Sequence, residues 1–158
     1  MDRLKSYRAT GFSLIELLVV IAIILIIMGM AIPHLGIAKM QALELGALKA
    51  ISTIHTAQAQ YQSQYGRYAS TLAELGPPAV GVPNASAAGL LSRGLASGEK
   101  SGYRYTLVPT EVGYTINANP VAFNNTGRRT FYSDQSLITH QNSTAEPASA
   151  ASPEVDAK

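Results

Sequence analysis

Cysteine and tryptophan are both absent from this 158-residue chain. Without cysteine there is no disulfide scaffold, thiolate nucleophile, thiolate zinc site or iron–sulfur ligation, although a secreted domain need not use disulfides. Acidic residues are sparse as well. Between Arg67 and His140 they are only Glu74, Glu99, Glu111 and Asp134, too scattered for the clustered oxygens a hard cation requires, so no metal site is expected. The histidines, His34, His55 and His140, are isolated from one another. No HExxH, GxSxG or phosphate-cradling glycine loop occurs, and the sequence therefore predicts no catalytic residue, no cofactor and no enzyme activity. Net charge is also less than it looks. The formal +2 is carried by Asp2, Arg3, Lys5 and Arg8, and the remainder of the chain is balanced, which gives no electrostatic case for a nucleic-acid binder. A chain of this length suits one small domain rather than a large multi-domain enzyme.

What the sequence does have is one long apolar run. Eight of its twelve isoleucines lie between Phe12 and Ile37, and the 22 residues from 17 to 38 carry no formal charge. Such a run can cross a bilayer core of roughly 30 Å. An ordinary secretory signal would have an apolar stretch of about 7 to 15 residues followed by a small-residue cleavage site. Here the stretch is longer and ends in Ile32-Pro33-His34-Leu35. A plain single-pass anchor fits better, because Arg3, Lys5 and Arg8 would hold the N-terminus in the cytoplasm. It leaves Glu16 unexplained. A carboxylate costs on the order of 3 kcal/mol at the centre of a membrane helix, whereas the apolar side chains around it contribute roughly 4 to 9 kcal/mol in all. Insertion survives the acid, which on this reading snorkels to the head groups. A specialised leader followed by a retained helix is the third reading.

The segment Gly11-Phe12-Ser13-Leu14-Ile15-Glu16-Leu17-Leu18-Val19-Val20-Ile21 resembles the N-terminal signature of type IV pilins and the related pseudopilins of type II secretion. It joins a short basic leader ending in Gly11 to an aromatic Phe12, a glutamate five positions into the mature chain, and an uninterrupted apolar run. The resemblance implies that a prepilin peptidase cuts between Gly11 and Phe12 and that the new Phe12 amine is methylated. It implies no catalysis by the chain itself. Membrane lipid surrounds the helix before assembly, and an inner-membrane assembly platform then delivers it into a filament of identical and related pilin subunits. In that filament Glu16 lies close to the Phe12 amine of a neighbour. Pairing two groups that are each costly in an apolar core compensates both and sets the axial register. Pro33 lies where the family commonly interrupts its helix, and its missing donor predicts a kink there.

Helical spacing continues past the apolar run through Met40, Leu43, Ala47, Ile51, Ile54, Tyr61 and Tyr65, with Lys39, Glu44, Lys49, Gln60 and Gln64 on the opposite face. Tyr65-Gly66-Arg67-Tyr68 ends the helix, and Ser70–Leu75 reads as one short helical turn. Residues 79–102 read as a surface loop with a short helix near Ala88–Ala96. Alternation then predicts strands at Tyr103–Leu107 and Tyr114–Ala118, with a third at Arg129–Asp134. The expected fold is α+β: a long N-terminal membrane-spanning helix packed on a small three-stranded antiparallel sheet. Ile51, Ile54, Tyr61, Tyr105, Leu107, Tyr114, Ile116 and Phe131 should form its core. Residues 1–11 would be a cleaved leader, 12–38 the membrane and filament-core helix, 39–140 the helix-plus-sheet domain, and 141–158 a disordered tail rich in Ser, Ala and Pro.

Tyr61, Tyr65 and Tyr68 fit a packing stripe better than an electron path. Arg128-Arg129 beside Phe131 and Tyr132 could attract phosphate and stack bases, but two arginines do not make nucleic acid an expected partner. The sequence thus predicts a structural subunit of a type IV pilus-like or type II secretion pseudopilus filament. It would sit first in the bacterial inner membrane with its N-terminus in the cytoplasm, then in a periplasmic or cell-surface filament. The small domain and the Tyr65–Leu75 segment favour a pseudopilin. The alternative is a membrane-tethered binding module that never polymerises.

Overall fold

The computed structural model describes residues 11–155, apart from the side chains of residues 30–34. The basic leader residues Arg3, Lys5 and Arg8 lie outside the described residues. The chain divides into two compact units, Met1–Ile37 and Ala38–Lys158.

In the first unit the backbone turns helical at Leu14, the start of α1 (Leu14–Tyr65). The side chains of this unit are exposed wherever they are described, from Phe12 to Met28 and again at Leu35 and Ile37. The membrane-spanning expectation is corrected here. Among the described residues no helix is long and apolar enough to cross a membrane. The expected kink at Pro33 and the side chain of His34 fall outside the described residues.

The second unit is built on the outer part of α1. Met40, Ala47, Ala50, Ile51, Ile54, Ala57 and Tyr61 are buried, and their positions at 100° per residue fall on one helical face. Gly66, with φ +73, ends the helix in a conformation only glycine adopts freely, and its N–H reaches back to the Gln62 carbonyl. The short α2 (Leu72–Leu75) follows, capped by Thr71, whose side chain accepts from the Glu74 N–H. Then comes α3 (Arg93–Ala96); its Leu95, with Leu91 and Ala88 just before it, belongs to the core.

The sheet has five strands in the order β1-β2-β3-β4-β5, all antiparallel neighbours: β1 (Glu99–Lys100), β2 (Tyr103–Pro109), β3 (Tyr114–Pro120), β4 (Thr130–Asp134) and β5 (Thr139–Asn142). The expected three are the central ones, and the count is corrected to five. Both added strands are short and have no buried alternation, so no period-2 pattern announces them. On β2 and β3 the alternation is as the sequence predicts, with Tyr103, Tyr105, Leu107, Tyr114, Ile116 and Ala118 turned inward. All eight expected core residues lie in one buried cluster with the helix.

The tail is the other correction. Gln141 and Asn142 belong to β5, His140 bridges to Glu154, and Ala148 is buried. Asn117 Nδ2 donates to the Ala148 carbonyl at 3.0 Å and Thr130 Oγ1 to the Glu146 carbonyl at 2.8 Å. Side chains on the sheet thus hold the backbone carbonyls of a segment with few apolar side chains, which composition alone does not reveal.

Candidate functional site

Gly11, Phe12 and Ser13 precede the first turn of α1 and are exposed, Phe12 at 86%. The Ser13 carbonyl accepts from the N–H groups of Glu16 and Leu17 at 3.1 and 3.2 Å, so Ser13 is the helix N-cap and Glu16 sits three residues into the first turn. A Ser-x-x-Glu spacing is that of a capping box, and a carboxylate at this end of a helix faces the positive pole of its dipole. Glu16 is exposed. Its position leaves it accessible to a cation supplied from outside the chain. The Gly11–Phe12 peptide bond lies in the exposed, non-helical residues 11–13.

Polar groups in the second unit are arranged differently from the sequence-based expectation. Glu44, placed there on the solvent face, is buried at 5% exposure. Its Oε2 accepts from Arg129 Nη2 at 2.7 Å and Nε at 2.8 Å, and its Oε1 from the Arg128 N–H at 2.7 Å. Arg129 also donates from Nη1 to Gln141 Oε1 at 2.8 Å. One guanidinium thereby ties α1, β4 and β5 together, and the arginine considered for phosphate is committed to this pair. Glu44 lies four residues from Met40 and three from Ala47, so its spacing on the apolar face was the available signal.

His55 is the second buried polar centre. Its Nε2 lies 2.8 Å from Ser133 Oγ and its Nδ1 2.7 Å from the Tyr114 hydroxyl. Ser133 has one hydroxyl proton and donates it to the Ile138 carbonyl at 2.7 Å. Nε2 therefore carries the ring proton and donates to Ser133, while Nδ1 accepts from Tyr114. That network holds a neutral imidazole. Burial lowers the His55 pKa below its usual 6.5, opposed by the charge of Asp134, and burial raises that of Tyr114 to about 12. Gln58 is the third, exchanging two hydrogen bonds with the Ala69 backbone at 2.8 and 3.0 Å.

The tyrosine stripe is packing: Tyr61 and Tyr65 rings are 4.6 Å apart, and Tyr68 stands edge-on to Tyr114 at 5.0 Å. The Tyr61 hydroxyl is anchored on the Ala85 carbonyl and on Glu74, which also receives Arg67 at 3.0 Å. His140 Nδ1 lies 2.7 Å from the Ser152 carbonyl. Among the described residues no group of histidines and acids is placed to hold a metal ion. A groove of about 760 Å³ runs beside α1, lined by Leu48, His55, Leu137, Ile138, Glu154 and Val155 among others.

Residues 7–32 match the prokaryotic N-terminal methylation motif, the prepilin-type cleavage and methylation signal of type IV pilins and pseudopilins. The match spans Gly11, Phe12 and Glu16 and ends just before Pro33. Neither a curated protein nor a solved structure matches the chain.

Proposed function

We propose that this chain is a structural subunit of a type IV pilus-like or type II secretion pseudopilus filament. The observation that carries the reading is the match to the methylation motif at residues 7–32, a range that includes Gly11, Phe12 and Glu16. Prepilin peptidase cuts between Gly11 and Phe12, and the exposed Phe12 amine is methylated. The uncharged run from residue 17 to 38 anchors the precursor in the inner membrane, with the basic leader in the cytoplasm. After processing, the assembly platform lifts the subunit into a filament whose core is made of these helices. Glu16 then pairs with the Phe12 amine of a neighbouring subunit, which fixes register more than it adds stability. Between the two filament types the reading favours the pseudopilus, on the small domain and the Tyr65–Leu75 segment.

The test is peptide mass spectrometry on membrane and sheared-surface fractions, comparing the native chain with Gly11→Ala and Glu16→Ala. Expected is a mature chain beginning at methylated Phe12 in sheared filaments, uncut precursor in the glycine variant, and loss from the sheared fraction in the glutamate variant. A native chain recovered uncut and only in the membrane overturns the reading and promotes the non-polymerising tethered module.

A further inference from the structure

We infer that His55 is a proton-operated clasp between α1 and the β4–β5 turn: protonation of its ring opens the turn and frees the strand-like segment 153–155, while the rest of the folded unit stays closed. The inference is independent of the filament reading and adds to it a response to acid.

Two polar clasps join α1 to β4, and they differ in kind. Where the strand begins, Glu44 holds Arg129 and the Arg128 N–H. Near its other end, His55 Nε2 meets Ser133 Oγ at 2.8 Å. The two helix residues are eleven apart, about 16 Å along the axis, and the two strand residues four apart, about 13 Å, so each clasp governs its own end of β4. The first is an ion pair. The second is made for a neutral ring. Ser133 gives its one proton to the Ile138 carbonyl, which obliges Nε2 to donate, and Nδ1 then accepts from the Tyr114 hydroxyl at 2.7 Å. A proton added at Nδ1 sets two donors against each other. Tyr114 is buried, and its hydroxyl makes no other hydrogen bond among the described residues.

A charged ring has somewhere to go. His55 lines the groove beside α1 with Leu137 and Ile138 of the turn and Glu154 and Val155 of the tail, so a ring swung out of the network enters open space with an acidic residue on its rim. The titratable and charged groups around it are Tyr114 from β3, Asp134 from β4 and Glu154 from the tail, while its groove neighbours on α1, Ser52, Thr56 and Ala59 among them, carry no charge. Both acids favour the cation. In the closed state burial lowers the His55 pKa despite Asp134, and in the open state it returns towards 6.5, so falling pH favours opening. What opens is the weakly supported end of the sheet. Leu137 has φ 67, a region a bulky side chain enters only at a cost. It is 64% exposed and Ile138 44%, so little burial offsets that strain. The Ser133 bond to the Ile138 carbonyl ties the turn to the His55 network, and the next residue, Thr139, accepts from the Val155 N–H at 2.8 Å. Release of the turn therefore reaches the tail, whereas the Glu44 clasp keeps the other end of β4 in place.

Solution NMR on the full-length chain in detergent micelles, from pH 7.5 to 4.5, tests the clasp. The His55 ring nitrogens should show a proton on Nε2 alone at neutral pH and titrate below 6.5. The amides of Leu137 and Val155, bonded to the Asp134 and Thr139 carbonyls, should lose hydrogen-exchange protection over the same pH range. The expected loss between pH 7.5 and 5 is several-fold and no more than about 30-fold, the most that one proton bound at an ordinary histidine pKa supplies. It should be insensitive to low denaturant, as local opening is, and absent in His55→Gln. The Arg128 amide, held by Glu44, should exchange only through denaturant-sensitive unfolding. A ring that stays neutral to pH 4.5 overturns the inference, as does one that titrates while Leu137 and Val155 keep their protection or exchange only through global unfolding. An equal loss in His55→Gln overturns it too. If that variant does not fold, the native chain still decides, because the ring and both amides are read in one sample.

Discussion

Glu44 and Arg129 illustrate how much a single buried charge demands. Glu44 is held in place by a guanidinium and a backbone N–H, and neither its charge nor its lone pairs can be left without partners in the core. Glu44→Ala should therefore destabilise the folded unit by about 3 kcal/mol, because the Arg129 charge loses its partner. Arg129→Ala should cost a similar amount, and the double variant less than the sum of the two. Thermal unfolding of the four chains, arranged as a double-mutant cycle, checks this; strict additivity would mean the pair is not coupled. His55 gives a pH dependence. Its folded pKa is depressed, chiefly by burial, so the unfolded chain binds the proton more readily. The stability it contributes is full above the unfolded value of about 6.5 and declines as pH falls through that value towards the depressed one. Asp134 opposes the shift, and Glu154 lines the adjoining groove. Midpoint temperatures measured from pH 7.5 to 4.5 should fall more steeply for the native chain than for His55→Gln. Equal slopes would show that His55 is not the titrating group. Tyr114, raised to about 12 by burial, has the opposite sign: stability falls as pH rises from about 10 through that value.

At the scale of elements, the entry to β4 is the tightest place in the second unit. The Tyr103 hydroxyl donates to the Arg129 carbonyl at 2.8 Å, and its ring lies where a Cβ on Gly127 would stand. Gly127→Ala should consequently push Tyr103 off the Phe131 ring and cost about 1 to 3 kcal/mol; chemical denaturation measures it, and a neutral result would show that the 122–129 connection yields instead. The tail behaves as an element in its own right. Removing residues 146–158 deletes the acceptors for Asn117 and Thr130 and the strand-like pairing of residues 153–155 with β5. The expected loss is on the order of 2 kcal/mol, with faster amide exchange at Gln141, whose N–H donates to the Pro153 carbonyl. A truncated chain with native stability and exchange would show that this segment is carried passively. That the tail folds at all was not legible in its composition: what holds it is backbone carbonyls meeting side chains from β3 and β4, and neither partner reveals the other in sequence.

For the whole molecule, the two units separate what builds the subunit from what the subunit builds. Glu16 belongs to the first unit and is exposed there, whereas Glu44 belongs to the second and is buried. Glu16→Ala should change the unfolding free energy by no more than about 0.5 kcal/mol, as exposed substitutions usually do, yet remove the chain from sheared filaments. A large shift in the midpoint would mean instead that Glu16 supports the fold. Local signals determined much of this molecule. The processing signal is a run of adjacent residues read by a protease, so it is complete in the sequence. The apolar stripe of α1 and the alternation on β2 and β3 are periodic, and periodicity survives in one dimension. What tertiary structure alone decided is every pairing between distant segments: Glu44 with Arg129, His55 between Tyr114 and Ser133, the edge strands β1 and β5, and the tail across the sheet. A polar residue on an apolar stripe announces that it needs a partner, but only the folded chain brings that partner within 3 Å.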